Sequence, residues 1–232
     1  MANAVVTGAN RGIGLEFTRQ LLARGDRVWA GARHPESSPE LLELSQQYGP
    51  EALTLLPLDV THALQRANLF ASVGAATVDL LVCNAGVYGP TEDRLGVTDE
   101  AAWIDAFRVN AIAPRQLVEG LLPALLRSTH PVIALLTSKM GSMADNGSGG
   151  AYIYRSSKAA LNAIGVSMAR DLGARGVTTL LLHPGWVRTR MGGPHGEIDA
   201  TQSVSALLHT VDHAGPADNG RFIDIQGETI PW

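Results

Sequence analysis

The 232-residue chain has a single cysteine, Cys83, so it cannot form a disulfide within itself. That absence weights the expected compartment towards the reducing cytoplasm. The chain lacks any apolar run of membrane-spanning length, and no basic segment precedes its first apolar residues. A membrane span and a signal peptide are both excluded on that reading, and a cytoplasmic location is the default. Charge of one sign is lacking too. Lys and Arg total 18 against 22 Asp and Glu, a formal charge of −4, which leaves no basic footprint for nucleic acid. There is no internal repeat, no metal-ligand cluster and no linker. The one Gly/Ser-rich stretch, 141–150, is loop-sized. What is present, 45% apolar and 17% charged residues, suits one folded domain over residues 1–232 with a sizeable core.

Apolar runs of strand length alternate with helical patterns. Strands are expected at Ala4–Thr7, Arg27–Ala32, Leu53–Pro57, Leu80–Cys83, Val132–Thr137, Thr178–His183 and Phe222–Ile225. Helices are expected at Leu15–Arg24, Pro39–Tyr48, His62–Val73, Asp99–Leu126, Tyr154–Gly173 and Thr201–His213, with Pro114 and Pro123 able to kink the fourth. The alternation predicts an α/β fold: a doubly wound, seven-stranded parallel sheet covered by helices on both faces. Its ligand crevice lies at the carboxyl ends of the strands.

The candidate residues fall at those ends. After the first strand comes Thr7-Gly8-x3-Gly12-x-Gly14, running into a helix. Glycines let the backbone approach a pyrophosphate, and the free N–H groups of the helix start point at it. Asp59-Val60 follows the third strand, Asn84-Ala85-Gly86 the fourth, Ser138 the fifth and Pro184-Gly185 the sixth. Each has a plainer reading taken singly. Asp59 is a possible helix cap, Asn84-Ala85-Gly86 and Pro184-Gly185 are turns, and Cys83 is a small buried apolar residue. Tyr154 and Lys158 are four apart, so they share one helix face. A free tyrosine titrates near about 10, and a neighbouring ammonium is expected to lower that value, tuning it for acid–base work on a carbonyl or alcohol oxygen. Helical periodicity alone would also bring the two together. Tyr152, six residues from the lysine, is expected on another side.

Taken together, these residues resemble the short-chain dehydrogenase/reductase family over essentially the whole chain. The resemblance rests on the glycine motif, Asp59, Asn84-Ala85-Gly86, Asn110, Ser138, Tyr154-x3-Lys158 and Pro184-Gly185. The runs Tyr152–Asn162 and Pro184–Gly193 and the pair Pro231-Trp232 look most like its C-factor and sniffer type of carbonyl reductases. The resemblance implies a Rossmann-type sheet in the order 3-2-1-4-5-6-7 and hydride transfer between a nicotinamide cofactor and a small-molecule carbonyl. It implies Tyr154 as proton donor, Ser138 as the residue orienting the carbonyl, and Lys158 on the nicotinamide ribose and lowering the Tyr154 pKa. Asn110 would hold a water that links Lys158 to solvent. Gly8, Asn10, Arg11, Gly12, Ile13 and Gly14 would line the cofactor, with Asn84 to Gly86, Pro184 and Gly185. Asp59 and Val60 would meet adenine, and Val187 and Thr189 the nicotinamide amide. Cys83 stands where the family often has asparagine. The alternative function is a C-factor-type dinucleotide-binding signalling protein with incidental redox activity.

Three expectations go further. The second strand ends Gly31-Ala32-Arg33 with no acidic residue for a ribose hydroxyl, so Arg33 and Arg11 favour NADP(H), with NAD(H) the alternative. The fourth and fifth helices are richer in alanine and leucine than one sheet-facing stripe requires, which, with the family's two-fold helix pairing, predicts a homodimer or homotetramer. Met140, Met143, Trp186 and Met191 are expected to form an adaptable apolar wall around substrate, under a mobile lid over 188–200. Apolar ketones, aldehydes or quinones fit such a wall. An anionic keto acid would need Arg188 or Arg190 as a clamp.

Overall fold

Successive side chains of a strand face opposite ways. In the first strand, β1 (Asn3–Thr7), Ala4 and Val6 enter one core and Val5 the other. The computed structural model describes residues 1–232 and repeats that division in every central strand. The strands are β1, β2 (Arg27–Ala32), β3 (Leu53–Pro57), β4 (Leu80–Cys83), β5 (Val132–Leu136), β6 (Thr178–Leu182) and β7 (Phe222–Ile223). They form one seven-stranded sheet in the order β3-β2-β1-β4-β5-β6-β7, every pair parallel. Fold class, strand count and strand order are as expected from the sequence.

One face carries α1 (Gly12–Ala23), α2 (Pro39–Ala52) and α7 (Ala200–Asp212), through Phe17, Leu21, Leu41 and Leu207. The other carries α3 (Ala63–Val73), α5 (Ala113–Leu125) and α6 (Tyr152–Gly173), through Leu69, Leu117, Leu121 and Leu161. Because all strands run parallel, their carboxyl ends meet at one edge, and the order reverses between β1 and β4. That reversal opens the crevice. No helix is long and apolar enough to cross a membrane.

The elements differ from expectation at their ends. The expected helix Asp99–Leu126 is three pieces: α4 (Glu100–Phe107), a π turn (Arg108–Ile112) and α5. Proline has no N–H for the carbonyl four residues back, and Pro114 sits in the first turn of α5, directly after the π turn. Asp99 caps α4 by accepting from the Ala102 amide. The helix α1 starts at Gly12, earlier than Leu15, because Gly12 turns the chain at φ +54. The last strand stops at Ile223, since Asp224 folds the chain back by accepting from the Gln226 and Glu228 amides.

Leu21 is fully buried on α1, whereas Leu42 on α2 is exposed. Leu21→Ala is expected to lower unfolding free energy by about 2–5 kcal/mol, and Leu42→Ala by less than about 0.5 kcal/mol. Denaturant melts of the two variants check this.

Candidate active site

The crevice is held open by a polar bridge between β1 and β4. The Thr7 hydroxyl donates to the Val82 carbonyl and accepts from the Asn84 and Ala85 amides, each at 3.1 Å. The Asn84 side chain donates to the carbonyls of Thr7 (2.9 Å) and Gly8 (3.2 Å). Asn84 thus grips the glycine turn from beneath. A Cβ at Gly14 would overlap the Gly8 carbonyl and the Asn84 amide, so Gly14 serves this packing behind the cleft wall.

Above the bridge lies a cleft of about 460 Å³. Gly8, Asn10, Arg11, Gly12 and Ile13 line it, as do Arg33, Asp59, Val60, Asn84, Ala85, Gly86, Tyr154, Lys158, Pro184 and Thr189. Gly185 and Val187 stand outside this lining, and Val187 is buried. Gly8 turns at φ +68, and a Cβ there would press within 3.0 Å of Ala85 Cα. Arg11 enters α1 without any side-chain cap, leaving the first-turn amides to face the cleft. Arg11 has its pKa lowered by burial first, and then by Arg190 and Arg33. The three guanidiniums converge, while the chain's ion pairs lie elsewhere. Such a cradle of glycine backbone, open helix amides and unpaired arginines fits a phosphorylated dinucleotide.

Burial pushes the Asp59 carboxyl up, but hydrogen bonds from the Thr61 hydroxyl and amide, with Arg33 nearby, bring it below its ordinary range. Asp59 turns the chain ahead of α3, whose cap position is His62. The segment 188–200, expected from the sequence to be a lid, is folded on itself. The Arg188 amide donates to Ile198 and the Glu197 amide to Trp186, and Trp186 Nε1 donates to the Gly192 carbonyl. Arg188 lines the cleft, and its Nη1 donates to the Gly196 and Glu197 carbonyls. Arg190 faces the Arg11 side of the cleft.

Tyr154 and Lys158 rise from the first turns of α6, both buried, while Tyr152 is exposed. Lys158 Nζ donates to the Leu136 carbonyl (2.7 Å) and lies 5.7 Å from the Tyr154 ring centroid. The expected lowering of the tyrosine pKa is not found. Burial pushes Tyr154 up to about 12, the Ser138 hydroxyl pulls it back, and Tyr88 raises it further. Burial also pushes Lys158 down to about 8, so the ammonium that was to lower the phenol is itself weakened by desolvation. Burial likewise raises Cys83 to about 12, which makes it an inert core residue.

Asn110, in the π turn, is fully engaged. Its side chain accepts from the Val87 amide (2.9 Å) and donates to the Val87 carbonyl (2.8 Å) and the Ser157 hydroxyl (2.9 Å). It therefore joins the segment after β4 to α6. Ser138 is buried, its hydroxyl accepting from the Met140 amide (3.1 Å). Met140 is half-buried, and Met143, Trp186 and Met191 are exposed. Of these four only Met191 lines the cleft.

Two residues that pattern reasoning missed act on this cluster. Asn162 accepts from the Thr137 hydroxyl (2.6 Å) and donates to the Gly141 carbonyl, fastening the turn after Ser138 to α6. Asp93 supplies the start of α6. Its carboxylate accepts from the Ile153 amide (2.6 Å), and its carbonyl from Ala151, the chain's only non-glycine residue at positive φ. Ala151 offers no side-chain cap of its own. A partner 60 residues away leaves no signal in local spacing.

Fold and cleft define a dinucleotide-binding oxidoreductase site at a topological switch point. The chain belongs to the short chain dehydrogenase family, whose model matches residues 2–199. It is 45% identical over 161 residues to C-signal of Myxococcus xanthus, covering 69% of this chain and 96% of that one. The structure of a carbonyl reductase from Pseudomonas aeruginosa PAO1 superposes with a TM-score of 0.91 at 34% identity, over 100% of both chains. The same enzyme in complex with NADP superposes at 0.86, again over 100% of both. The carbonyl reductase Sniffer of D. melanogaster superposes at 0.93 with 28% identity, over 100% of both.

Removing the Asp93 cap should loosen the turn that carries Tyr154. Asp93→Ala is expected to cost about 1 kcal/mol of stability and about 10-fold in kcat. Asp93→Asn keeps an acceptor and should recover most of both. Melting curves and steady-state kinetics of the pair read the two effects separately.

Proposed function

We propose that this protein reduces a ketone, aldehyde or quinone to the alcohol, using NADPH in preference to NADH, with Tyr154 giving its phenolic proton to the carbonyl oxygen. The observation that carries the reading is that Tyr154 and Lys158 line the cleft whose other end is the glycine turn, with Ser138 hydrogen-bonded to Tyr154 just behind that lining. The nicotinamide supplies the hydride when bound. Ser138 orients the carbonyl oxygen beside the phenol. Tyr154 and Lys158 hold the nicotinamide ribose, and Asn110 keeps Lys158 and the Val87 segment in register. Gly8, Asn10, Gly12 and Ile13 take the pyrophosphate, Asp59 and Val60 the adenine, and Thr189 the carboxamide. Arg11, Arg33 and Arg190 form the site for a 2′-phosphate, a reading that the NADP complex of the Pseudomonas relative supports. The C-signal likeness supports a second, signalling reading, in which the effect of the protein would survive loss of Tyr154.

A phenol held near about 12 keeps its proton at neutral pH. Reduction consumes that proton, so its rate should stay level through neutrality, decline as Lys158 loses its charge at about 8, and fall further as alkali ionises Tyr154. Alcohol oxidation needs the phenolate and should rise with pH. Tyr154→Phe is expected to lower kcat by at least about 10²-fold with cofactor affinity nearly intact, while Tyr152→Phe changes little. Arg33→Ala should cost NADPH selectively and narrow its advantage over NADH. Steady-state kinetics with both cofactors test these points, and equal efficiency with NADH in the wild type would count against the cofactor assignment.

We also infer a homodimer. Ile104 on α4 and Ile112 in the π turn are large apolar side chains left exposed. Ile104→Asp with Ile112→Asp should shift the sedimentation coefficient from dimer to monomer, and a wild type that is monomeric at micromolar concentration would refute the assembly.

A further inference from the structure

A second tyrosine stands against the catalytic one. The rings of Tyr88 and Tyr154 have centroids 4.7 Å apart and planes tilted by 30°. Tyr154 is 8% exposed and Tyr88 is 38% exposed, so the pair presents its Tyr88 side to solvent. The placement of Tyr88 is built on both sides. Just before it, both backbone groups of Val87 are held by the Asn110 side chain. Just after it, Gly89 turns at φ +94, and a Cβ there would sit 3.2 Å from Ile153 Cγ2 at the start of α6. The segment is thus clamped to the helix that carries Tyr154. Neither the cofactor site nor the proton transfer described above uses Tyr88.

We propose that Tyr88 is a specificity-determining residue, an aromatic platform on which the ring of a planar aryl carbonyl stacks while its oxygen meets Tyr154 and Ser138. The proposal rests on Tyr154 as proton donor. Aromatic faces favour offset or tilted pairing at centroid separations of about 4.5–7 Å, so a platform adjoining Tyr154 rewards a flat π system at the reacting end of the substrate. A saturated ring of the same size fills similar space without that interaction.

The test compares acetophenone with cyclohexyl methyl ketone under NADPH, because the ratio of their kcat/KM values cancels effects common to both. In Tyr88→Leu the aryl-to-cyclohexyl ratio should fall about 3- to 10-fold from wild type. Tyr88→Phe should hold the ratio within about twofold, and Tyr88→Trp should hold or raise it. An unchanged ratio in Tyr88→Leu, or an equal loss on both ketones in all three variants, would overturn the platform. Activity retained by Tyr154→Phe would instead remove the proton donor, and the ratio in Tyr88→Leu would still read the platform on its own.

Discussion

The hydrogen bonds between Thr7 and the Asn84 segment are the constraint on which the site depends. At the switch point the connections from β1 and β4 leave for opposite faces of the sheet, and their main-chain pairing stops at Val6 and Val82, just before the site. From there one hydroxyl and one amide side chain tie the ends together. They satisfy the backbone groups that the diverging strands leave behind. They also fix the distance between the glycine turn and the Gly86 segment, and hence the width of the cleft. Asn84 therefore contributes by shaping the cleft from below. Its two N–H donors are taken by the two carbonyls.

The opposite wall is organised by α6. Its first turns carry Tyr154, Ser157, Lys158 and Asn162, and the last three are tied to the π turn and to the end of β5. Ser157 reaches the π turn through Asn110, Lys158 reaches β5 through the Leu136 carbonyl, and Asn162 reaches Thr137 and Gly141. A Cβ at Gly141 would press within 2.9 Å of the Lys158 backbone, so the turn after Ser138 lies directly on the helix. Such contacts hold Ser138 and Tyr154 in register, although they come from separate elements. Positioning of this kind is where reacting groups gain most of their advantage.

The sheet was legible because buried parallel strands read as short apolar runs, and three of the seven expected spans match the structure residue for residue. The glycine turn, Asn84-Ala85-Gly86, Ser138 and Tyr154-x3-Lys158 were legible because each is a local pattern after a strand. What escaped is non-local. Asp93 caps a helix 60 residues on, and Tyr88 meets Tyr154 across 66 positions (154 − 88), so neither leaves a trace in spacing. Arg188 and Arg190 are two apart and both line the cleft, yet only Arg188 is tied by its guanidinium to the carbonyls of its own segment. The π turn was hidden for a different reason. Pro114 signals a disturbance in the helix but not which register absorbs it.

The largest departure concerns electrostatics, and it follows from the same burial that makes the fold. Spacing alone suggested that Lys158 would lower the Tyr154 pKa, an argument that treats both groups as if water surrounded them. In the structure both are buried, and desolvation disfavours the charged form of each. The phenol rises and the ammonium falls, and at neutral pH Lys158 is still largely charged while the phenolate it would attract is absent. The Leu136 carbonyl gives Lys158 a neutral partner in place of phenolate. An ionisable pair in that state is poised for reduction, which asks the tyrosine to hold a proton and release it only as negative charge develops on the substrate oxygen. The reverse reaction asks for the phenolate first and works against burial. How deeply α6 seats Tyr154, with Tyr88 covering one side of its ring and Ser138 beside its hydroxyl, thus sets the pH range in which the phenol keeps its proton.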